Sequence, residues 1–182
     1  MKLITHIGAF WLLASSAAAQ TTWAVDHDSS ALSFGIEIGG AEAFGRFDGW
    51  SAEIIYDEQA PQDAQVAVTI DMTTARIDNA QAAQALLSPT WLDVSGFPEA
   101  RFDGSGFASI QDGDLKMDGD LALKGVTMLV PLVGQITIDG TTASARFEAT
   151  LTRSEFGVGD ANPAIAPTVN IVATVNALKI DY

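Results

Sequence analysis

From Leu32 onward, apolar and polar residues alternate along the chain with a period of two. Leu32, Phe34, Ile36 and Ile38 face one way, and Ser33, Gly35 and Glu37 the other. Trp50, Ala52, Ile54 and Tyr56 repeat the pattern, although Ile55 spoils its outer face. It returns in Val66, Val68, Ile70 and Met72, in Leu115, Met117, Leu121 and Leu123, and in Ala145, Phe147, Ala149 and Leu151. Such alternation marks half-buried antiparallel strands. Turn chemistry separates the runs: Gly39-Gly40, Pro61-Gln62-Asp63, Asp112-Gly113-Asp114 and Asp139-Gly140 supply positive φ or side chains that bond their own backbone. The Asp-Gly pairs predict hairpins joining residues 102–110 to 115–123 and 130–138 to 143–152. One helix is predicted over 80–87, capped by Asn79 and stopped by Ser88-Pro89.

About eight strands, one short helical insertion and no domain break define an all-β chain, either a barrel or a sandwich. Several runs are eight to ten residues long, longer than in a sandwich of immunoglobulin size. A single antiparallel eight-stranded β-barrel is therefore expected, wide enough to hold one slender ligand.

The first residues read differently. Met1-Lys2 is a short positive start, an apolar run extends from Leu3 to Leu13, and Ala17 and Ala19 form an A-x-A cleavage site. This is the pattern of a secretory signal peptide over 1–19, too short to span a bilayer, leaving an exported domain over 20–182 in the periplasm. Cleavage removes Lys2 and His6, so the formal charge moves from −14 for the whole chain to −15, and His27 is the one histidine left.

Composition then removes classes of chemistry. With no cysteine, the chain has no thiolate nucleophile, Cys-ligated metal or disulfide. Nine Lys+Arg against 23 Asp+Glu cannot build a face for nucleic acid. No G-x-S-x-G elbow or phosphate-cradling loop occurs, so no catalytic residue, metal or cofactor is assigned. Asp26-His27-Asp28 reads as a metal or base site, or as a strand-entry turn. The acids at 112, 114, 118 and 120 read as a calcium loop, or as a solvated surface. Arg46, Arg101, Arg146 and Arg153 suit an anionic head group, or ordinary pairing with surface carboxylates.

Five segments resemble the YceI-like family of periplasmic polyisoprenoid-binding proteins. They are the opening Trp23-Ala24-Val25-Asp26 with Ser30-Ala31-Leu32-Ser33-Phe34, then Gly45-Arg46-Phe47 with Ile54-Ile55-Tyr56-Asp57, and the middle Leu87-Ser88-Pro89-Thr90-Trp91-Leu92-Asp93 with Phe97-Pro98-Glu99-Ala100-Arg101-Phe102. Gly119 to Thr127 (GDLALKGVT) and Arg153 to Gly159 (RSEFGVG) complete the set. The chain departs from the family at Ala82-Ala83-Gln84-Ala85, where many members carry a charged R-D-x-H type cluster.

The resemblance implies a lipocalin-like barrel that binds without catalysis, enclosing the apolar tail of a polyprenyl or isoprenoid quinone type of amphiphile. The interior would be lined by Phe34 and Ile36, Trp50 and Ile54, Val68 and Ile70, then by Phe102, Leu121, Leu132, Phe147 and Ile171. Leu86 and Trp91, with Leu87 and Phe97 beside them, either gate the mouth or pin the helix over the barrel end. Alternation alone leaves these residues equally readable as an ordinary packed core. Two rivals follow: a non-catalytic accessory or interaction protein of a membrane redox complex or stress response with a packed core, and an outer-membrane barrel with its apolar face outward. A homodimer is left open.

Overall fold

The computed structural model describes residues 21–159 and 161–180, so the signal peptide reading lies outside the described residues. Twelve strands follow in order: β1 (Thr22–Val25), β2 (Ala31–Ile38), β3 (Ala41–Phe47), β4 (Trp50–Ile55), β5 (Gln65–Asp71), β6 (Ala75–Ile77), β7 (Glu99–Ser105), β8 (Ala108–Ser109), β9 (Leu115–Leu123), β10 (Val126–Asp139), β11 (Thr142–Thr152) and β12 (Thr168–Ile180). Hydrogen bonds run β1-β4-β5-β7-β9-β10-β11-β12 and return from β12 to β1, closing a ring of eight antiparallel strands. The other strands extend this ring. β1 and β2 lie end to end along β12, which pairs residues 177–180 with β1 and 170–174 with β2. β3 pairs with β2 and β6, while β4 pairs with β1 and β5. The expected eight-stranded all-β barrel is the observed fold.

Local chemistry explains the corners. Gly39-Gly40 and Lys124-Gly125 form two-residue hairpin turns with positive φ at both positions, the mirror-image geometry that suits strand twist. α1 (Ala80–Ala85) is capped as expected, Asn79 Oδ1 accepting from the Gln81 and Ala82 amides. It ends at Ala85 rather than 87, because the Ser88 amide donates to the Ala85 carbonyl and the chain winds into turns. The 102–110/115–123 hairpin forms as β7 and β8 on β9. The other expected hairpin is shorter than read: the β10–β11 ladder stops at Val133↔Glu148, just short of Pro131, which has no N–H to donate.

Most apolar side chains point inward and most charges outward. Arg101 pairs with Asp103, Lys116 with Asp118 and Arg146 with Glu148 on the exposed faces of β7, β9 and β11. Arg46 and Arg76 stand opposite each other in the β3–β6 ladder, and the Asp48 carboxylate accepts from both. Those two guanidinium groups hold Asp48 below the usual carboxylate range. Thus three of the four candidate arginines are surface partners of carboxylates. A membrane-spanning barrel needs an outward apolar band, and this outer wall is charged instead. Among the described residues no helix is long and apolar enough to cross a membrane.

Gly134 marks the closest approach of two strands. A Cβ there would lie 1.9 Å from the Arg146 carbonyl oxygen and 2.7 Å from Phe147 Cα. Gly134→Ala is therefore expected to force β10 from β11 and cost roughly 1–3 kcal/mol, read from the midpoint of urea unfolding.

Candidate functional site

The barrel is hollow. A cavity of about 690 Å³ runs inside it, within the range of about 300–1,000 Å³ usual for one small-molecule ligand. Ile54, Val68, Ile70, Leu132 and Ile171 point inward yet keep partial exposure, because they face open space rather than packed side chains. The packed-core reading is thereby corrected.

One end is shut. Phe107 stacks on Phe147 with centroids 5.2 Å apart and meets Tyr56 edge-on at 5.7 Å. Beneath them the Trp23 indole donates to the Tyr56 carbonyl at 2.9 Å, and Met117 is wholly buried. Burial, with Glu58 and Asp57 nearby, pushes the Tyr56 phenol up, so it stays protonated at the floor.

The other end opens. Gly39, Gln81, Asn162 and Ala164 border the cavity and are also exposed, so the space reaches the surface between the β2–β3 turn, α1 and the 160s segment. Backbone bonds from Gly39 N to Ala164 O and from Ala166 N to Glu37 O tie that segment across the top. On the opposite side the 86–97 turns are held down by Lys124, whose ammonium donates to the carbonyls of Pro89, Thr90 and Gly157 at 2.7–3.2 Å.

Every residue expected to line the interior borders this cavity. Phe34 and Ile36 reach it from β2, Trp50 and Ile54 from β4, and Val68 and Ile70 from β5. Phe102, Leu121, Leu132, Phe147 and Ile171 come from β7, β9, β10, β11 and β12 in turn. Leu86 and Trp91 border it at the mouth, whereas Leu87 and Phe97 are 37% and 38% exposed, Phe97 lying over Gly125.

Arg153 is the residue the sequence reading misplaced. It is 7% exposed and borders the cavity, instead of meeting solvent like the other three arginines. Its guanidinium donates to the carbonyls of Ala166, Val158 and Ile165 and lies 5.5 Å from the Trp91 ring centroid. The signal was available: Phe147, Ala149 and Leu151 point inward, and the same period carries the next step to Arg153. Asn79, Gln81 and Asn162 at the mouth were also missed.

The two ambiguous acidic motifs sit outside this site. Asp26 accepts from Ser29 Oγ at 2.6 Å and from the Asp28 amide, forming the turn between β1 and β2, and the serine bond lowers its pKa. His27 lies edge-on to Trp50 on the outside. In the second motif, Asp118 is engaged by Lys116 and Asp114 by Gln135.

Proteins similar in sequence or in fold are known. A UPF0312 protein of Shewanella baltica (strain OS185) is 28% identical over 173 residues, 90% of this chain and 91% of that protein. Burkholderia cenocepacia BcnA superposes with a TM-score of 0.78 at 22% identity, covering 84% of this chain and 98% of that one. A polyisoprenoid binding domain from Saccharophagus degradans has a TM-score of 0.62 at 12% identity, covering 87% and 98%. The YceI-like domain model matches residues 23–177, and the chain belongs to that family.

Proposed function

We propose that this chain is a non-catalytic periplasmic carrier that encloses the apolar tail of a long isoprenoid amphiphile, of the polyprenyl or isoprenoid quinone type. The observation that carries the reading is the apolar cavity, closed at the Phe107–Phe147 floor and open at α1. Each CH₂ moved from water into such a space contributes about 0.8 kcal/mol, so a dry tube binds a long tail without charged chemistry. Family membership and a neighbour described as a polyisoprenoid binding domain support the same class of ligand. The signal peptide pattern over 1–19 supports the compartment.

The test is to express the full chain in a Gram-negative host, release it by osmotic shock, and extract the purified protein with organic solvent for mass spectrometry. The expected result is a mature N-terminus at Gln20 and about one isoprenoid lipid per chain. Recovery of no lipid, together with failure to take up a long-chain ubiquinone, would overturn the carrier reading.

A further inference from the structure

Resting on the reading that a chain lies in the tube with its head at the open end, we infer that the closed end is a second, polar subsite. There the Tyr56 hydroxyl donates to a neutral oxygen carried at the far terminus of the chain. The ligand class is then an isoprenoid oxygenated at both ends, with a hydroxyl or carbonyl on its last isoprene unit.

The cavity wall is apolar along most of its height, and its polar side chains fall at two levels. Asn79, Gln81, Asn162 and Arg153 border it near the mouth. Tyr56 borders it at the floor, where it continues the inward face of Ala52 and Ile54 just past the end of β4. The residue is only 7% exposed. Its amide donates to the Thr21 carbonyl at 2.9 Å, its carbonyl accepts from the Trp23 indole at 2.9 Å, and its ring meets Phe107 edge-on. These contacts fix the phenol in place. Among the described residues its hydroxyl has no hydrogen-bond partner.

A buried polar group without a partner is unfavourable once a lipid has displaced water from the tube. The methyl terminus of a plain isoprenoid offers this hydroxyl nothing. An oxygen at that terminus accepts its proton, and each group then satisfies the other away from water. Burial, with Glu58 and Asp57 nearby, keeps the phenol protonated and therefore a donor. The same two acids disfavour an anionic terminus, which leaves a hydroxyl or a carbonyl.

The closing experiment titrates delipidated full-length protein with two matched series of probes. One is farnesol, geranylgeraniol and geranylfarnesol; the other is the same three alcohols hydroxylated on the terminal isoprene unit. In a chain too short to reach the floor, the added hydroxyl is buried without a partner and is expected to weaken binding at least tenfold. At the length that reaches Tyr56, that penalty should shrink to about threefold or less. Tyr56→Phe keeps the ring and both backbone bonds and removes only the hydroxyl. It is expected to restore the tenfold penalty at that length, while binding the parent alcohol about twofold more tightly. A general change in stability or cavity shape would move both probes in the same direction. A terminal-hydroxyl penalty that is equal in the unaltered protein and in Tyr56→Phe at every length would overturn the subsite and leave tail binding intact. Failure of all three parent alcohols to bind would instead overturn the tail-binding reading, and this inference with it.

Discussion

Tryptophan at Ala52 or Ala145 is expected to weaken uptake of a long-tailed isoprenoid about a hundredfold while a short-tailed congener still binds. Both alanines border the cavity and are only partly buried, so each has open space in front of its methyl group. Ala52 lies midway along β4, opposite Val68, and Ala145 lies toward the Thr142 end of β11, opposite Ile136 and Val175. An indole placed at either position narrows the tube below the mouth. Excluding four methylene groups removes about 3 kcal/mol at about 0.8 kcal/mol each, roughly two orders of magnitude in affinity. The melting temperature should hold or rise, since the added ring meets void rather than packed neighbours. Equal losses for long and short tails, at unchanged melting temperature, would show that ligand does not run down the barrel. The measurement is fluorescence or calorimetric titration with a tail-length series.

The second large effect is expected at Arg153. Arg153→Met keeps much of the aliphatic stem but deletes the donors to the Ala166, Val158 and Ile165 carbonyls, together with the contact on Trp91. Losing several bonds from one buried charged group costs about 3–5 kcal/mol, because the acceptors are left without partners. At roughly 2–4 °C per kcal/mol for a chain of this size, a loss near the lower end lowers the melting temperature by about 6–12 °C. Gly159→Ala probes the same assembly independently. Its Cβ would lie 2.5 Å from Arg153 Nη1 and 3.0 Å from the Trp91 ring, at a φ of +79°. Both variants should show faster amide exchange over 158–166 than the unaltered protein. A thermal and exchange profile unchanged in Arg153→Met would mean that the guanidinium does not hold this segment.

Much of the barrel was legible because its determinants are local. Period-two alternation states which side chains share a face, and Gly39-Gly40 and Asp139-Gly140 state where the chain reverses. The hollow was not legible. Phe34, Val68 and Ile171 would read identically around a filled interior, since the distance across a barrel follows from strand number and stagger. The mouth was legible only in part. Asn79 announces its helix through a cap two and three residues long, whereas Lys124 reaches carbonyls at Pro89 and Gly157, more than thirty residues away in either direction. Arg153 was concealed by its own chemistry: periodicity pointed it inward, while its charge argued for the surface. The β10–β11 hairpin is shorter than the 130–138 and 143–152 runs predict, since an Asp-Gly pair marks where a hairpin turns and not where its ladder ends, and Pro131 offers no N–H to extend it.

The β12 strand, shared between β1 and β2, also sets the order in which the hollow can come into being. Thr22 pairs with Ile180 and Phe34 with Ile171, so both closing ladders join residues near opposite ends of the described chain. Contacts this distant in sequence are slow to form and cannot be made by a chain still emerging. Until β12 arrives, the inward faces of β4, β5, β7 and β9 belong to an open, curled sheet whose apolar side is accessible from the flank. The tube is the last feature to be built, and one strand completes it along its whole height.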